Sequence, residues 1–271
     1  MKGGRNRHHG FTVVEVLIVL AVTSALFLSA TALISGKQNQ TSFDQAIQEV
    51  RSQIQQVIGD VSNGYYPNLT DFQCSAGASG PVITTGGTTQ GANTGCIFVG
   101  KALQFGVSGT NPEQFNTYSL AGLQQNTGGN DVSTLAEAVP TVIPSSTVSS
   151  QLENGLTTYK PKTMIVGGAA VGTIAFVSSL APASGSSTSS SQQVNMVAVP
   201  GTAVGDAQSA AISAINTKLS TVKTTDASFN PITGIQICFV SGSTNQSGLI
   251  TIGGTNSAVS ATLAIKEDKT C

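Results

Sequence analysis

The sequence predicts an α+β protein, in which one long N-terminal helix packs on an antiparallel β-sheet head. The first indication is a largely apolar run over residues 11–34 that contains a single charge. An amphipathic helical pattern follows that run, and short β-like runs divided by Gly, Ser, Thr and Asn fill the remainder of the 271 residues. Only 9% of the residues are charged, so we expect a compact, β-rich head rather than a disordered chain.

The first element is predicted to be one continuous helix over residues 11–62. No proline occurs before Pro67, and Asn63-Gly64 supplies a stop signal. At 1.5 Å per residue this helix would be about 78 Å long. After residue 42, apolar side chains recur at three- and four-residue steps, which predicts a single buried stripe. The stripe consists of Phe43, Ala46, Ile47, Val50, Ile54, Val57, Ile58 and Val61.

The apolar part of this helix is long enough to cross a membrane. Residues 11–34 would span about 36 Å, against roughly 30 Å for the hydrocarbon core. Lys2, Arg5 and Arg7 precede the segment, so the positive-inside rule keeps the N-terminus in the cytoplasm and places the head outside. Glu15 is the only charge within the segment, and a carboxylate at mid-bilayer costs about 2.5–3.5 kcal/mol. We therefore expect Glu15 to have a partner.

Two ordinary interpretations leave this acid unexplained. Ala30-Thr31-Ala32 resembles the cleavage site of a secretory signal, but the apolar core is longer than the usual 7–15 residues and contains Glu15. A plain single-pass anchor accounts for the length and the orientation of the segment, but again not for Glu15.

The junction Gly10-Phe11-Thr12-Val13-Val14-Glu15 resembles the prepilin cleavage and methylation motif of type IV pilins and pseudopilins. In that family a short basic leader ends in glycine, an apolar residue follows, and glutamate stands at the fifth mature position. The resemblance implies that a prepilin peptidase cuts after Gly10 and methylates the new amine of Phe11. It also implies that Glu15 registers an incoming subunit by pairing with the terminal amine of a neighbour.

The same resemblance implies a pilin-like fold and a domain order. Residues 1–10 would be the leader peptide, 11–62 the long helix with its transmembrane segment 11–34, and 63–271 the β-rich extracytoplasmic head. The protein would then be a structural subunit that assembles into a pilus or pseudopilus through its N-terminal helix. Its partners would be prepilin peptidase, other pilin subunits, the inner-membrane assembly machinery and the lipid bilayer.

The location and the exact role follow from the same resemblance. Before assembly the chain would be a single-pass protein of the inner membrane, and afterwards part of a surface pilus or an extracytoplasmic pseudopilus. Removal of the leader leaves 271 − 10 = 261 residues, a length that favours a minor or tip subunit. The alternative is a membrane-anchored or pilus-tip adhesin whose ectodomain does not polymerise as a shaft.

Eight strands and a second helix are predicted in the head. Loops are predicted over residues 75–95, before the first strand, and over residues 183–193. The last three strands form a meander similar to the end of the minor pseudopilins that cap secretion pseudopili. The predicted helix is Asp206–Leu219. The predicted strands are Ile97–Val107, Thr117–Leu120, Thr163–Val166, Val171–Ser178, Val194–Val199, Thr233–Val240, Gly248–Ile252 and Ala261–Lys266.

The four cysteines, Cys74, Cys96, Cys238 and Cys271, form no CxxC motif, and no histidine lies near them. An even number beyond a membrane segment suggests two disulfides in an oxidising compartment, although buried free thiols are the alternative. Of the three possible pairings, Cys74–Cys96 and Cys238–Cys271 are favoured because each closes one local loop. Chain entropy gives roughly 3–4 kcal/mol for each bridge.

The chain offers little material for catalysis. Its only histidines, His8 and His9, lie in the predicted leader, so cleavage would leave a mature chain without Ser-His-Asp, Cys-His or histidine–metal chemistry. We therefore expect no enzyme, no metal and no cofactor. The 12 basic and 13 acidic side chains are nearly balanced, which gives no strong nucleic-acid signal.

Overall fold

The computed structural model describes residues 12–64, 72–85, 95–107, 111–158, 165–166, 169–180, 193–253, 259–268 and 271. The chain divides into two compact units between Ser42 and Phe43. The N-terminal unit contains the first part of the long helix. The C-terminal unit contains the remainder of that helix together with every strand.

The described residues form three α-helices, one 3₁₀ turn and fourteen strands. The helices are α1 Val13–Ser62, α2 Leu135–Ala138 and α3 Gln208–Thr221, and the turn is Pro144–Ser146. The strands are β1 Phe72–Gly77, β2 Gly80–Thr85, β3 Cys96–Val107, β4 Asn111–Leu123, β5 Thr141–Val142, β6 Val148–Gln151, β7 Leu156–Thr158, β8 Ile165–Val166, β9 Ala169–Ala170, β10 Thr173–Ser178, β11 Val194–Val199, β12 Ile235–Ser241, β13 Ser247–Ile252 and β14 Ala261–Lys266.

Two antiparallel sheets make up most of the C-terminal unit. The larger sheet has the strand order β11-β10-β3-β4-β5, and β6 also pairs with β4. The smaller sheet has the order β14-β13-β12-β7. The pairs β1–β2 and β8–β9 are separate two-stranded sheets.

The larger sheet is buried on both faces because its side chains alternate between two cores. On β10, Ile174 and Phe176 join one core with the inward residues of the smaller sheet and the second part of α1. Ala175 and Val177 join the other core with the buried side of α3. The second part of α1 is therefore an integral part of the head.

The helix stripe predicted from the sequence is confirmed, since all eight of its residues, from Phe43 to Val61, are buried. A close approach to β13 makes this packing possible. A Cβ atom placed on Gly248 would collide with the side chain of Ile47. The absence of a side chain at Gly248 therefore lets α1 lie directly on the smaller sheet.

The α+β class and the antiparallel head are also confirmed. The long helix predicted over residues 11–62 is observed as Val13–Ser62, and the strands Val194–Val199 and Ala261–Lys266 match the prediction residue for residue. The three-stranded meander at the C-terminus is present as β12-β13-β14.

The loop predicted over residues 75–95 is wrong for the part that the structure describes. That part contains the hairpin β1–β2, in which Gly77 pairs with Gly80 across a two-residue turn. Gly80 has φ +134°, a conformation that is available to glycine but strained for other residues. A polar, glycine-containing sequence here forms strands because the turn geometry and the bridge at Cys74 stabilise them.

Other predicted boundaries shift for local reasons. Helix α3 begins at Gln208 rather than Asp206, because the Asp206 carboxylate accepts the backbone N–H of Ala203 at 2.6 Å in the preceding turn. The predicted strand Thr163–Val166 is described only at its last two residues, which form β8. Most of the predicted loop 183–193 lies outside the described residues.

Two disulfides tie the head together, and the structure describes no free cysteine. Cys74 is bonded to Cys96, which joins the β1–β2 hairpin to the start of β3. Cys238 on β12 is bonded to Cys271 near the end of the chain. These are the two local pairs that the sequence favours.

Candidate functional site: the N-terminal helix

Thr12 begins α1 by capping its first turn. The hydroxyl oxygen of Thr12 accepts the backbone N–H of Glu15 at 3.2 Å, and its carbonyl accepts the N–H of Val16 at 3.2 Å. Glu15 therefore lies in the first turn, where the helix dipole favours a negative charge. The sequence analysis missed this role of Thr12, although Thr12-x-x-Glu15 is the pattern of a capping box.

The Glu15 carboxylate stands alone in the described part of the N-terminal unit. Glu15 is exposed, and its side chain makes no hydrogen bond or ion pair with any described residue. The sequence contains no other charge between Thr12 and Lys37. One acid without a partner thus lies at the beginning of an apolar helix.

The hydroxyl groups of this segment are satisfied within the helix itself. Each donates to a backbone carbonyl three or four residues earlier, as Ser24 does to Leu20 at 2.7 Å. This pattern pairs polar side chains without an external partner and suits an apolar environment. The residues that do so are Thr23, Ser24, Ser29, Thr31 and Ser35.

Large apolar side chains surround the same segment and are exposed. Helix α1 contains a stretch that is long and apolar enough to span a membrane, and no part of this stretch is buried. Such a surface needs lipid or other helices to cover it. The exposed large residues are Val13, Val14, Val16, Leu17, Ile18, Val19, Leu20, Val22, Leu26, Phe27, Leu28, Leu33 and Ile34.

The remaining residues of the predicted processing site, Gly10 and Phe11, lie outside the described residues. The cleavage and methylation assigned to them in the sequence analysis stay predictions. The registration role of Glu15 also stays a prediction, since no second chain is present.

Comparison with known proteins finds a processing motif in the same segment. Residues 5–31 match the family model described as the prokaryotic N-terminal methylation motif. This motif is the prepilin-type signature of type IV pilins and pseudopilins, and it supports a membrane-anchored precursor that prepilin peptidase processes. It further implies a structural subunit that assembles with other pilin subunits. Neither a curated protein nor a solved structure matches the chain.

The head carries a cleft of about 450 Å³ on the α3 side of the larger sheet. Leu180, Val222 and Phe229 form apolar parts of its lining, while Asn195 and Lys223 supply an amide and an ammonium group. Among the described residues, no group of three His, Cys, Asp or Glu side chains is placed to hold a metal ion. The cleft offers apolar surface together with these two hydrogen-bonding groups.

Proposed function

We propose that this protein is a type IV pilin-like subunit that is stored in the inner membrane and assembled into a pilus or pseudopilus through α1. Prepilin peptidase cleaves after Gly10 and methylates the amine of Phe11. The exposed apolar helix with one unpaired acid, Glu15, carries this proposal. Of cleavage after Gly10, cleavage after Ala32 and no cleavage, only the first creates a cation close enough to compensate that acid.

The amine of Phe11 and the carboxylate of Glu15 are four residues apart and thus lie on one side of a helix. In a filament the carboxylate of one subunit would pair with the terminal amine of the next. Such a pair adds little net stability in an apolar environment, because desolvation offsets much of the attraction. It nevertheless favours the one alignment in which the two charges meet. Glu15 would then fix the register between subunits.

Mass spectrometry of the protein from its host tests the processing step. We expect a mature N-terminus at methylated Phe11. An N-terminus at Leu33 would show ordinary signal cleavage, and an intact Met1 would show a simple anchor. Either result would overturn the proposal.

We further propose that the head lies outside the cytoplasm with both disulfides formed. The local pairing of Cys74 with Cys96 and of Cys238 with Cys271 supports this location, since such bridges persist in oxidising compartments. Non-reducing peptide mapping should recover these two linked peptide pairs. Four free thiols in the native protein would contradict the location.

The cleft in the head favours a second function, that of a minor or tip subunit that binds a surface ligand. Its volume lies within the 300–1,000 Å³ range of small-molecule sites, and Lys223 provides one charged contact. If the cleft binds such a ligand, Lys223→Glu should reduce cell adhesion without changing the number of filaments. Unchanged adhesion would remove this candidate and leave the structural role.

A further inference from the structure

We propose that Asp44 and Arg51 of α1 pair with the same residues of a second copy of this chain, displaced by seven residues along the helix axis. The inference rests on the proposed assembly through α1. This ion pair between side chains would fix the alignment of two subunits in addition to the pair proposed for Glu15.

Asp44 and Arg51 lie on one line of the helix. Seven residues correspond to two turns less about 20°, and to a rise of about 10.5 Å. Both residues are half-buried, at the border between the buried stripe and the exposed polar face. Their side chains therefore leave the helix in nearly the same direction, too far apart for an ion pair within one chain.

The charge of Asp44 is not compensated by any described residue. Its carboxylate makes no hydrogen bond or ion pair there, and one of its oxygens is buried without a partner. The other oxygen is also unpaired but is not among the buried atoms, so a cation from outside the chain can reach the carboxylate there and compensate its charge.

The positive charge of Arg51 is also left without an opposite charge. Its Nε donates to the carbonyl of Ala261 on β14 at 3.0 Å, which holds the side chain at the border but leaves its charge uncompensated. The two terminal nitrogens of the guanidinium have no partner among the described residues. They supply a planar pair of donors that suits a carboxylate.

A displacement of seven residues satisfies both groups at once. It brings Arg51 of one copy level with Asp44 of its neighbour in a parallel arrangement. Packing without displacement would instead oppose Asp44 to Asp44 and Arg51 to Arg51, which like-charge repulsion disfavours. The adjoining exposed residues Gln48, Ser52 and Gln55 are uncharged, so they offer no competing ion pair.

The sequence extends this spacing in the N-terminal direction. Lys37 precedes Asp44 by seven residues, so the order of charges at seven-residue intervals is positive, negative, positive. The sequence pattern therefore continues the alternation of charge beyond Asp44.

Co-expression of two full-length chains, each with one cysteine added to the four disulfide-bonded native ones, tests the displacement. One chain carries Asp44→Cys and the other Arg51→Cys, and filaments are sheared from cells and run on non-reducing gels. We expect covalent dimers only when both chains are present. A short homobifunctional thiol cross-linker is added to the sheared filaments, because the arginine side chain keeps the Cα atoms of an Asp–Arg pair farther apart than the about 7 Å that a direct disulfide permits. Each chain alone should stay monomeric unless neighbours pack without displacement.

The matched control pair is Glu49→Cys with Gln56→Cys. It has the same seven-residue spacing but lies about 140° around the helix on the exposed face, so it should give no dimers. Dimers from the control pair at the same yield, or from either single chain, would overturn the inference. Filaments that form without mixed dimers would also overturn the inference. If the host makes no filaments with the unsubstituted chain, the proposed function is overturned instead.

Discussion

The ammonium nitrogen of Lys101 on β3 lies 2.6 Å from a carboxylate oxygen of Asp60 in the last turn of α1. The two side chains are only 11% and 25% exposed. A carboxylate at the C-terminal end of a helix is opposed by the helix dipole, so Lys101 offsets an unfavourable position. The pair connects the end of α1 to the larger sheet.

Removing Asp60 should therefore destabilise the head. We expect Asp60→Ala to lower the free energy of unfolding by about 1–3 kcal/mol. This loss is smaller than that from breaking a fully buried ion pair, because both side chains remain partly exposed to solvent. Urea unfolding of the full chain in detergent measures this loss. The more exposed pair Lys218–Asp226, at 3.2 Å, is the control, and Lys218→Ala should cost under about 1 kcal/mol. Equal losses at the two pairs would contradict the assignment.

Gly248 should tolerate no side chain. We expect Gly248→Ala to cost about 1–3 kcal/mol, because the new methyl group occupies the position of the Ile47 side chain. Thermal unfolding of the full chain would show this loss, and Ile47→Ala in the same chain should restore part of it. Gly59→Ala is the control, since a Cβ there meets nothing within 4 Å and the helix gains propensity. An unaffected Gly248→Ala chain would show that α1 does not pack as described.

Glu15 should be dispensable for processing but not for assembly. We expect Glu15→Val to be cleaved normally, because the glycine and the apolar residue at the junction remain. Its incorporation into filaments should fall, because the terminal amine of a neighbour loses its partner. Immunoblots of sheared filaments and of membranes separate these two outcomes. Normal incorporation of Glu15→Val would exclude the registration role.

Glu137 should contribute stability that disappears in acid. The backbone N–H and the hydroxyl of Ser133 donate to its carboxylate at 2.8 and 3.0 Å, and the backbone bond is the largest cause that holds the pKa of Glu137 below its usual value. A lowered folded-state pKa stabilises the fold above the unfolded-state value of about 4.3, and the gain is lost as the pH falls through the folded pKa.

Substitution of that residue tests the sign of this effect. We expect Glu137→Gln to flatten the decline of stability below about pH 4.3, measured by urea unfolding at several acidic pH values. Ser133→Ala should give a partial effect in the same direction, because it removes only the hydroxyl donor and leaves the backbone N–H groups of residues 133 and 134 donating to the carboxylate. A decline as steep in Glu137→Gln as in the parent would refute the prediction.

Local patterns made much of this fold predictable. The stripe from Phe43 to Val61 repeats with the helical period, and the strand Val194–Val199 is apolar at every position except Asn195, so burial follows from the local pattern of apolar residues. The hairpin β1–β2 was not predictable in this way. Its strands contain Gln, Ser, Gly and Thr, and they are held by turn geometry and by a bridge to Cys96.

The sequence by itself determined the processing motif, the single acid at Glu15 and the α+β class, because each depends on residue types at short spacing. Only the tertiary structure decided that Gly248 admits Ile47 and that Lys101 meets Asp60. These residues are far apart in the chain, and the distances between them depend on how α1 crosses the sheets. The tertiary contacts also leave Asp44 without a partner among the described residues, so a second copy of the chain can supply one.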